Sequence, residues 1–275
     1  MRFKKIAIFC APKKDVIAEL EVIKKILLEA GYEIIGLHGC TTEDSDPREV
    51  SRLADLILVL GGDGTILYAS KFCQDKPILG VNYGKIGFLS EISPGNLRDA
   101  LRKINENEYW IQELRRLKAK VNYPNGEVRE LQSVLNEYLL FTSALAKMIS
   151  IEIFVDQEPI TKTRGDGLII ATPIGSSAYA LSAGGPILLP DIPTYLIVPL
   201  APLWGKFKSM VLSDKHTFSV KIREDGSSAV VVGDGLEKLS LPKNSIIHFQ
   251  LSDEKTSFIR FGSRFEKLSR LMLII

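Results

Sequence analysis

The amino-acid sequence predicts two domains, an N-terminal α/β domain with a parallel sheet and a C-terminal domain built mainly from β-strands. Up to about residue 108, apolar runs with strand character alternate with segments of helical periodicity, which is typical of a parallel sheet covered by helices. After Trp110, short strand-like runs follow one another with turn signals between them, which is typical of a β-rich, sandwich-like domain. We therefore assign residues 1–108 and 109–256 to the two domains, and we expect a tail at 257–275 to pack back on the first.

The first elements are a buried strand from Lys5 to Cys10 and an amphipathic helix after it. Apolar residues recur in this helix at steps of four, three and four, the spacing of one helical face. These residues are Val16, Leu20, Ile23 and Leu27. We expect Asp15 to cap the helix at its start and Gly31 to end it.

The remaining elements of the first domain continue the alternation. They are a strand at 32–37, a helix at 47–53, strands at 56–60 and 77–82, and a helix at 97–104. In a Rossmann-like parallel sheet the ligand crevice lies beyond the carboxyl ends of the strands. Two glycine-bearing segments, 61–64 and 82–85, fall at such ends.

The segment at 61–64, Gly-Gly-Asp-Gly, is the strongest indication of function in this domain. Three glycines around one carboxylate allow a sharp turn and close ligand approach, and the amides that open the next helix attract anions. Because a carboxylate repels phosphates, we expect Asp63 to hold a cation or to accept a proton beside them. The alternative is a simple strand-to-helix turn in which Asp63 caps the helix.

Composition excludes several classes of partner. The chain has 275 residues, 45% of them hydrophobic, and a formal net charge of +2, so we expect no nucleic-acid partner. Without an apolar run of membrane length or an N-terminal cleavage signal, we expect no membrane partner and a cytoplasmic protein. The three cysteines are widely spaced, which favours reduced thiols over a disulfide framework or a zinc site.

The second domain contains two candidate binding segments. Asn136 and Glu137 together offer donors and acceptors for a base edge and ribose hydroxyls, although the pair by itself favours a solvated strand end. Residues 164–186 run from a strand into glycines, hydroxyls and Tyr179, which indicates a polar ligand pocket rather than a tight β-corner. Gly233-Asp234-Gly235 alone predicts a hairpin turn. The chain contains neither GxGxxG nor a Walker A motif, so a standard dinucleotide redox fold and a P-loop kinase are not supported.

Taken together, these motifs resemble those of the NAD kinase family. They are GGDGT at 61–65, NYGKIGFL at 82–89, NE at 136–137, RGDGLIIATPIGSSAYALSAGGPI at 164–187 and GDG at 233–235. The resemblance implies an α/β N-terminal domain, a β-rich C-terminal domain and a homodimer or homotetramer. It also implies phosphorylation of the adenosine ribose 2′-hydroxyl of NAD by ATP, which gives NADP.

The resemblance also assigns site residues. Asp63 matches the family's proton acceptor. The residues matching the family's nucleotide and dinucleotide contacts are Asp63, Gly64, Asn136, Glu137, Arg164, Asp166, Ile174, Ser177, Ala178, Tyr179, Ser182 and Ala201. No residue is assigned to a metal, since the divalent cation, Mg²⁺, is expected to arrive with the phosphoryl donor.

The chain departs from the family pattern at a few positions. Tyr68 stands where many members have a basic residue, and Lys71, one helical turn later, is the expected substitute. Ile174 and Leu236 replace polar residues. Two other classes share part of the pattern: lipid kinases, which share GGDGT, and a non-catalytic dinucleotide sensor. The donor also stays open among ATP, other nucleoside triphosphates and polyphosphate.

Overall fold

The computed structural model describes residues 3–40, 44–73, 75–84, 87–205 and 207–273. The chain forms two compact units. The first unit comprises Met1–Glu113 and Lys255–Ile275, and the second comprises Leu114–Glu254. The predicted fold class is confirmed, because the first unit is an α/β structure with a parallel sheet and the second consists mainly of antiparallel strands.

The elements follow one another in a simple order. The chain begins in the first unit with β1 (Lys5–Cys10), α1 (Lys14–Glu29), β2 (Glu33–His38), α2 (Pro47–Leu53), β3 (Leu56–Gly61), α3 (Asp63–Ser70), β4 (Ile78–Asn82) and α4 (Leu97–Asn105). It enters the second unit along β5 (Trp110–Asn122), so the boundary falls inside this strand rather than before it.

In the described part of the chain, eleven further strands and one short α-helix follow β5 before the final helix. These elements are β6 (Val128–Glu130), β7 (Glu137–Thr142), β8 (Ile149–Val155), β9 (Glu158–Gly165), β10 (Gly167–Ala171), α5 (Tyr179–Ser182), β11 (Thr194–Leu200), β12 (Met210–Ser213), β13 (Phe218–Ile222), β14 (Ala229–Gly233), β15 (Glu237–Leu241) and β16 (Ile246–Arg260). The end of β16 and α6 (Glu266–Met272) belong to the first unit. Within the described part of the chain, no helix is long and apolar enough to cross a membrane.

The parallel sheet of the first unit has the strand order β2-β1-β3-β4. All six residues of β3 are buried, as a strand covered on both faces requires. The last strand of the chain joins this sheet, because Phe258 of β16 pairs in parallel with Ile78 of β4. The carboxyl end of β3 therefore lies between those of β1 and β4, and residues 61–64 leave the sheet at this edge.

Helix α1 packs on the sheet through the predicted face, whose four apolar residues are all buried. The prediction that Asp15 caps this helix is wrong, since the cap position is Lys13 and no side chain bonds the first turn. Gly31 ends the helix as predicted, with a positive φ of 87° that favours glycine.

A disulfide joins Cys10 and Cys40, so the prediction of three reduced thiols is wrong for this pair. Cys10 ends β1 and Cys40 follows β2, and the two strands are parallel neighbours. Their carboxyl ends consequently meet, with the Cα atoms 4.9 Å apart. A sequence separation of 30 residues does not reveal this proximity, which arises only from strand order. Cys73 remains a free, buried thiol.

The second unit is a β-sandwich. One antiparallel sheet has the order β12-β11-β10-β7-β14-β15, and β16, β13, β8 and β9 form the facing one. Its core combines Tyr138 and Ile170 from the first sheet with Ile153, Phe218 and Phe249 from the second. This packing fixes β7 and β10 side by side, and the segments that precede and follow them carry most of the predicted binding residues.

Candidate active site

The turn that follows β3 is open where a ligand would approach it. Gly61 has to be glycine for packing, because a Cβ there would overlap the side chain of Thr65. In contrast, a Cβ at Gly62 or Gly64 would meet no atom of the described residues within 4 Å, and neither residue has a positive φ. Neither packing nor backbone conformation explains these two glycines, whereas close approach of a ligand to the amides of α3 does.

Asp63 is the first residue of α3, and its carboxylate accepts hydrogen bonds from the loop at residues 87–90. Oδ2 accepts from the amide of Phe88 at 2.9 Å, and Oδ1 accepts from those of Leu89 and Ser90 at 3.1 and 3.4 Å. Asp63 therefore does not cap its own helix. A carboxylate has about four acceptor positions, so Oδ2 retains one for a further donor.

A buried ion pair lies behind this loop. Arg260, at the end of β16, donates to the carbonyl of Leu89 at 2.8 Å and to Glu91 at 3.0 Å. The exposed fractions of the Arg260 and Glu91 side chains are only 3% and 7%. Glu91 also accepts from the amide of Phe261 at 2.8 Å, which attaches the end of β16 to the 87–90 loop.

The departure at Tyr68 has a local explanation. The Tyr68 hydroxyl hydrogen-bonds Nε2 of His38 at 3.0 Å, and the two rings stack with centroids 5.8 Å apart. His38 lies at the end of β2, so Tyr68 connects α3 to the edge of the sheet rather than presenting a charge. Lys71, the expected substitute, occupies the C-cap position of α3.

In the second unit, Asp234 holds the backbone of the Asn136–Glu137 segment. Its Oδ2 accepts from the amide of Leu135 at 2.7 Å, and its Oδ1 accepts from those of Asn136 and Glu137 at 2.8 and 3.1 Å. Asp234 and Gly235 have φ values of 48° and 70°, which form the predicted hairpin turn between β14 and β15. The turn thus also positions the start of β7.

The electrostatics of this segment favour a protonated Glu137. Burial, with the charge of Asp234 second, raises the pKa of Glu137 to about 8. Its Oε2 is buried without a hydrogen-bond partner among the described residues. Burial also raises the pKa of Asp234, against three amides and the charge of Arg116. A buried carboxyl oxygen without a partner among the described residues leaves one hydrogen-bonding position that a ligand group can fill.

The segment after β10 packs directly against Asn136. The hydroxyl of Thr172 donates to the carbonyl of Leu135 at 2.6 Å and accepts from the amide of Gly175 at 3.1 Å. A Cβ at Gly175 would overlap the carbonyl of Asn136, so only glycine allows this approach. Tyr179, at the start of α5, has 47% of its surface exposed, which leaves a ring face available to a base or ribose.

The predicted dinucleotide residues of the second unit fall into two groups at opposite ends of β10. Ala171, its last residue, pairs with Glu137, and this end carries Asn136, Glu137, Ile174, Ser177, Ala178, Tyr179 and Ser182. Gly167, its first residue, pairs with Leu200, and this end carries Arg164, Asp166 and Ala201. A strand of five residues places the two ends about 13 Å apart.

The sequence interpretation missed several residues that support the site. The sequence predicted a turn at Asp234 but not its hydrogen bonds to the backbone at 135–137, although a carboxylate between two glycines was a signal for such a role. Arg116 is fully buried and donates to the hydroxyl and carbonyl of Ser133, and it had no signal because it lies within an ordinary alternating strand. Thr172 and Arg260 likewise hydrogen-bond to backbone carbonyls, and the sequence does not show which backbone groups will lie next to them.

The residues do not form a dedicated metal site. Within the described part of the chain, no group of three His, Cys, Asp or Glu side chains is arranged to hold a metal ion. Both carboxylate oxygens of Asp63 already accept amide hydrogens. The site therefore suits a cation that is held largely by the phosphates of a substrate, as Mg²⁺ commonly is.

The glycine-flanked carboxylate at the end of a parallel sheet, and the polar segments at the ends of β10 in a β-sandwich, are features expected of a two-domain kinase for a nucleotide-like acceptor. Comparisons with known proteins identify the family. Residues 6–109 match the ATP-NAD kinase N-terminal domain, and residues 135–261 match the ATP-NAD kinase C-terminal domain. The chain therefore belongs to the ATP-NAD kinase family.

Individual relatives agree with this assignment. The chain is 38% identical over 270 residues to an NAD kinase of Methanothermobacter thermautotrophicus, covering 94% of this chain and 93% of the relative. It is 35% identical over 240 residues to an NAD kinase of Carboxydothermus hydrogenoformans, covering 86% and 85%.

Two solved structures share the fold. An NAD kinase of Archaeoglobus fulgidus in complex with ATP superposes with a TM-score of 0.81 at 28% identity, covering 98% of this chain and 99% of that one. Yeast NADH kinase complexed with NADH superposes with a TM-score of 0.88 at 20% identity, covering 99% and 87%.

Proposed function

We propose that this protein transfers the γ-phosphoryl group of ATP to the 2′-hydroxyl of the adenosine ribose of NAD, which gives NADP. The proposal depends on one observation, the turn at residues 61–64 that carries Asp63, in a chain of the ATP-NAD kinase family. Gly62 and Gly64 leave the amides of α3 open, and one acceptor position of Asp63 stays available. The similarity to an NAD kinase that was crystallised with ATP supports ATP as the donor.

Asp63 is proposed as the general base. A ribose hydroxyl is a poor nucleophile, so a carboxylate within hydrogen-bond reach orients it and accepts its proton as its oxygen bonds to the γ-phosphorus. The bond from this phosphorus to the β,γ-bridging oxygen breaks in the same transfer, and ADP leaves. The amides at the start of α3 stabilise the charge on the transferring group. A divalent cation such as Mg²⁺ would be held mainly by the donor phosphates, where it would neutralise part of their charge.

The dinucleotide is proposed to bind at the β7–β10 surface of the second unit. Asn136 and Glu137 provide hydrogen-bond partners for the adenosine, and Glu137 is protonated at neutral pH, so its carboxyl can donate to a hydroxyl oxygen. Ile174, Ser177, Ala178, Tyr179 and Ser182 extend this surface. At the other end of β10, Arg164 and Asp166 are exposed and flank the strained backbone of Ala201, whose φ is 42°.

We further propose that the protein is a homodimer or homotetramer in the cytoplasm. Exposed fractions of 98% for Leu145 and 79% for Trp204 support burial of the second unit's surface against another copy. The Cys10–Cys40 bond does not contradict this location, since intracellular disulfides are rare but do occur. Light scattering of the purified protein measures the oligomer size directly.

The experiment that tests the function is incubation of the purified protein with NAD, ATP and Mg²⁺, with NADP measured by an NADP-specific dehydrogenase. We expect Asp63→Asn to bind NAD but to lose about 10²–10⁴-fold in kcat. Because this change also removes an acceptor for the 87–90 loop, Gly87→Ala is the matched control. A Cβ at Gly87 would overlap the hydroxyl of Ser90 and approach the side chain of Asn82, so the variant perturbs the loop and retains the carboxylate.

The outcomes separate the alternatives. A much smaller loss in Gly87→Ala than in Asp63→Asn supports the general base, and equal losses refute it. Wild-type protein that binds NAD without forming NADP, from either ATP or polyphosphate, would identify a non-catalytic dinucleotide sensor. Absence of NAD binding would refute the proposed acceptor.

A further inference from the structure

The C-terminal helix α6 places a lysine against the loop that holds Asp63. The ammonium group of Lys267 donates to three successive carbonyl oxygens, those of Phe88 at 2.9 Å, Leu89 at 3.4 Å and Ser90 at 2.5 Å. About a quarter of its side chain is exposed. All of these residues belong to the first unit.

Two of these carbonyls share a peptide unit with an amide that binds Asp63. The carbonyl of Phe88 and the amide of Leu89 form one unit, and the carbonyl of Leu89 and the amide of Ser90 form the next. Each unit therefore accepts a hydrogen bond from a cation on one side and donates to the Asp63 carboxylate on the other. A cation at the oxygen polarises the peptide and strengthens the donor at its nitrogen.

The charges around Lys267 are balanced. Glu91 lies 3.2 Å from its ammonium group and 3.0 Å from the guanidinium of Arg260. The charged groups that face Lys267 are Glu91 from the loop, Arg260 from β16 and Asp63 from α3. Two cations and two carboxylates thus enclose the 87–90 loop, and removal of one member leaves the others incompletely compensated.

We propose that Lys267 is a positioning residue for phosphoryl transfer, which orients the Asp63 carboxylate through the peptide units at 88–90. The inference rests on the proposed function of Asp63. It assigns a part in catalysis to Lys267, which acts through the loop and not on the reacting atoms.

The ammonium group of Lys267 offers donors that an apolar side chain of similar length lacks. Burial, together with the charge of Arg260, lowers the pKa of Lys267 to about 7. Burial therefore opposes the charge, and the three carbonyls and Glu91 compensate it. Methionine has a side chain of similar length but cannot donate to the three carbonyls. These hydrogen bonds are the interaction through which Lys267 acts on Asp63.

The first test compares Lys267→Met with wild type, and Lys25→Met is the matched control, because Lys25 lies on the exposed surface of α1. We expect kcat to fall by about tenfold to hundredfold, as a small displacement of a catalytic group does, with KM for NAD changed less than about twofold. Lys25→Met retains wild-type kcat. Hydrogen exchange of the amides of Leu89 and Ser90, followed by NMR, becomes at least about tenfold faster in Lys267→Met alone.

The second test restores the amine chemically. Aminoethylation of Lys267→Cys produces a lysine analogue at this position and is expected to recover most of kcat. The reaction is selective because burial raises the pKa of the Cys73 thiol to about 12, and Cys10 and Cys40 are joined in a disulfide. This comparison uses one protein before and after modification, so it decides the question even if Lys267→Met does not fold.

The proposal is overturned by unchanged kcat in Lys267→Met, by a loss that aminoethylation does not reverse, or by unchanged exchange of the two amides. These outcomes are distinguishable from failure of the proposed function. If wild-type protein forms no NADP, the general base role fails, whereas the exchange measurement still reports whether Lys267 orders the 87–90 loop.

Discussion

Replacement of Asp234 by Asn provides a direct test of how the second unit builds its binding surface. The Asp234 carboxylate accepts three amide hydrogens from residues 135–137. Asparagine has one acceptor oxygen in place of two. It can retain the bonds to Asn136 and Glu137, which share Oδ1, but its NH₂ group then faces the amide of Leu135.

The expected cost follows from this geometry. Loss of one hydrogen bond to a charged group costs about 1.5–3 kcal/mol, and the two that remain lose their charge assistance. We therefore expect the free energy of unfolding to fall by about 3 kcal/mol, which corresponds to roughly 6–12 °C in Tm. Because residues 135–137 lose their fixed position, the Kd for NAD also rises.

The assay is thermal unfolding followed by circular dichroism, together with titration calorimetry for NAD. Asp253→Asn is the matched control, since Asp253 is fully exposed and pairs with Arg115 at the surface, where an ion pair contributes about 0–1 kcal/mol. A loss in Asp234→Asn no larger than that of the control would refute the positioning role of Asp234.

Two further predictions concern stability. Burial raises the pKa of Glu137 to about 8, so its contribution to stability is complete below the pKa of the unfolded chain and is lost as the pH rises to about 8. The free energy of unfolding of wild type relative to Glu137→Gln should therefore fall between pH 5 and 8, as measured by chemical denaturation. A constant difference over this range would contradict a buried, protonated Glu137. Reduction of the Cys10–Cys40 disulfide, which closes a loop of 30 residues, should destabilise the protein by about 3–4 kcal/mol, measured by unfolding with and without reductant. The variant Cys10→Ser should then be insensitive to reductant, and equal sensitivity would contradict the assignment.

Local patterns in the sequence were sufficient to predict the fold class. The aliphatic run of β3 predicts a strand buried on both faces, and the spacing of Val16, Leu20, Ile23 and Leu27 predicts the packed face of α1. Each of these signals depends on neighbouring residues only. The Gly-Gly-Asp-Gly segment was equally informative, because two of its glycines have no structural reason to lack a side chain.

Interactions between distant segments could not be predicted in this way. The disulfide depends on the parallel pairing of β1 with β2, and the reduced state expected for Cys10 and Cys40 was therefore wrong. The contacts of Asp234 and Lys267 are made to backbone groups, which every residue possesses and no side-chain pattern marks. The support of the candidate site thus becomes visible only in the folded chain.

The path of β16 has a consequence for synthesis of the protein. The first unit is interrupted by the whole second unit and is completed only when the residues from Lys255 onward emerge from the ribosome. Until then β4 lacks the strand β16, which pairs with it on the side opposite β3, and the 87–90 loop lacks both Arg260 and Lys267. A nascent chain halted before these residues carries Asp63 without these two charges. On the proposed role of Lys267, we therefore expect the Asp63 carboxylate to be oriented for phosphoryl transfer only after the C-terminal segment has docked.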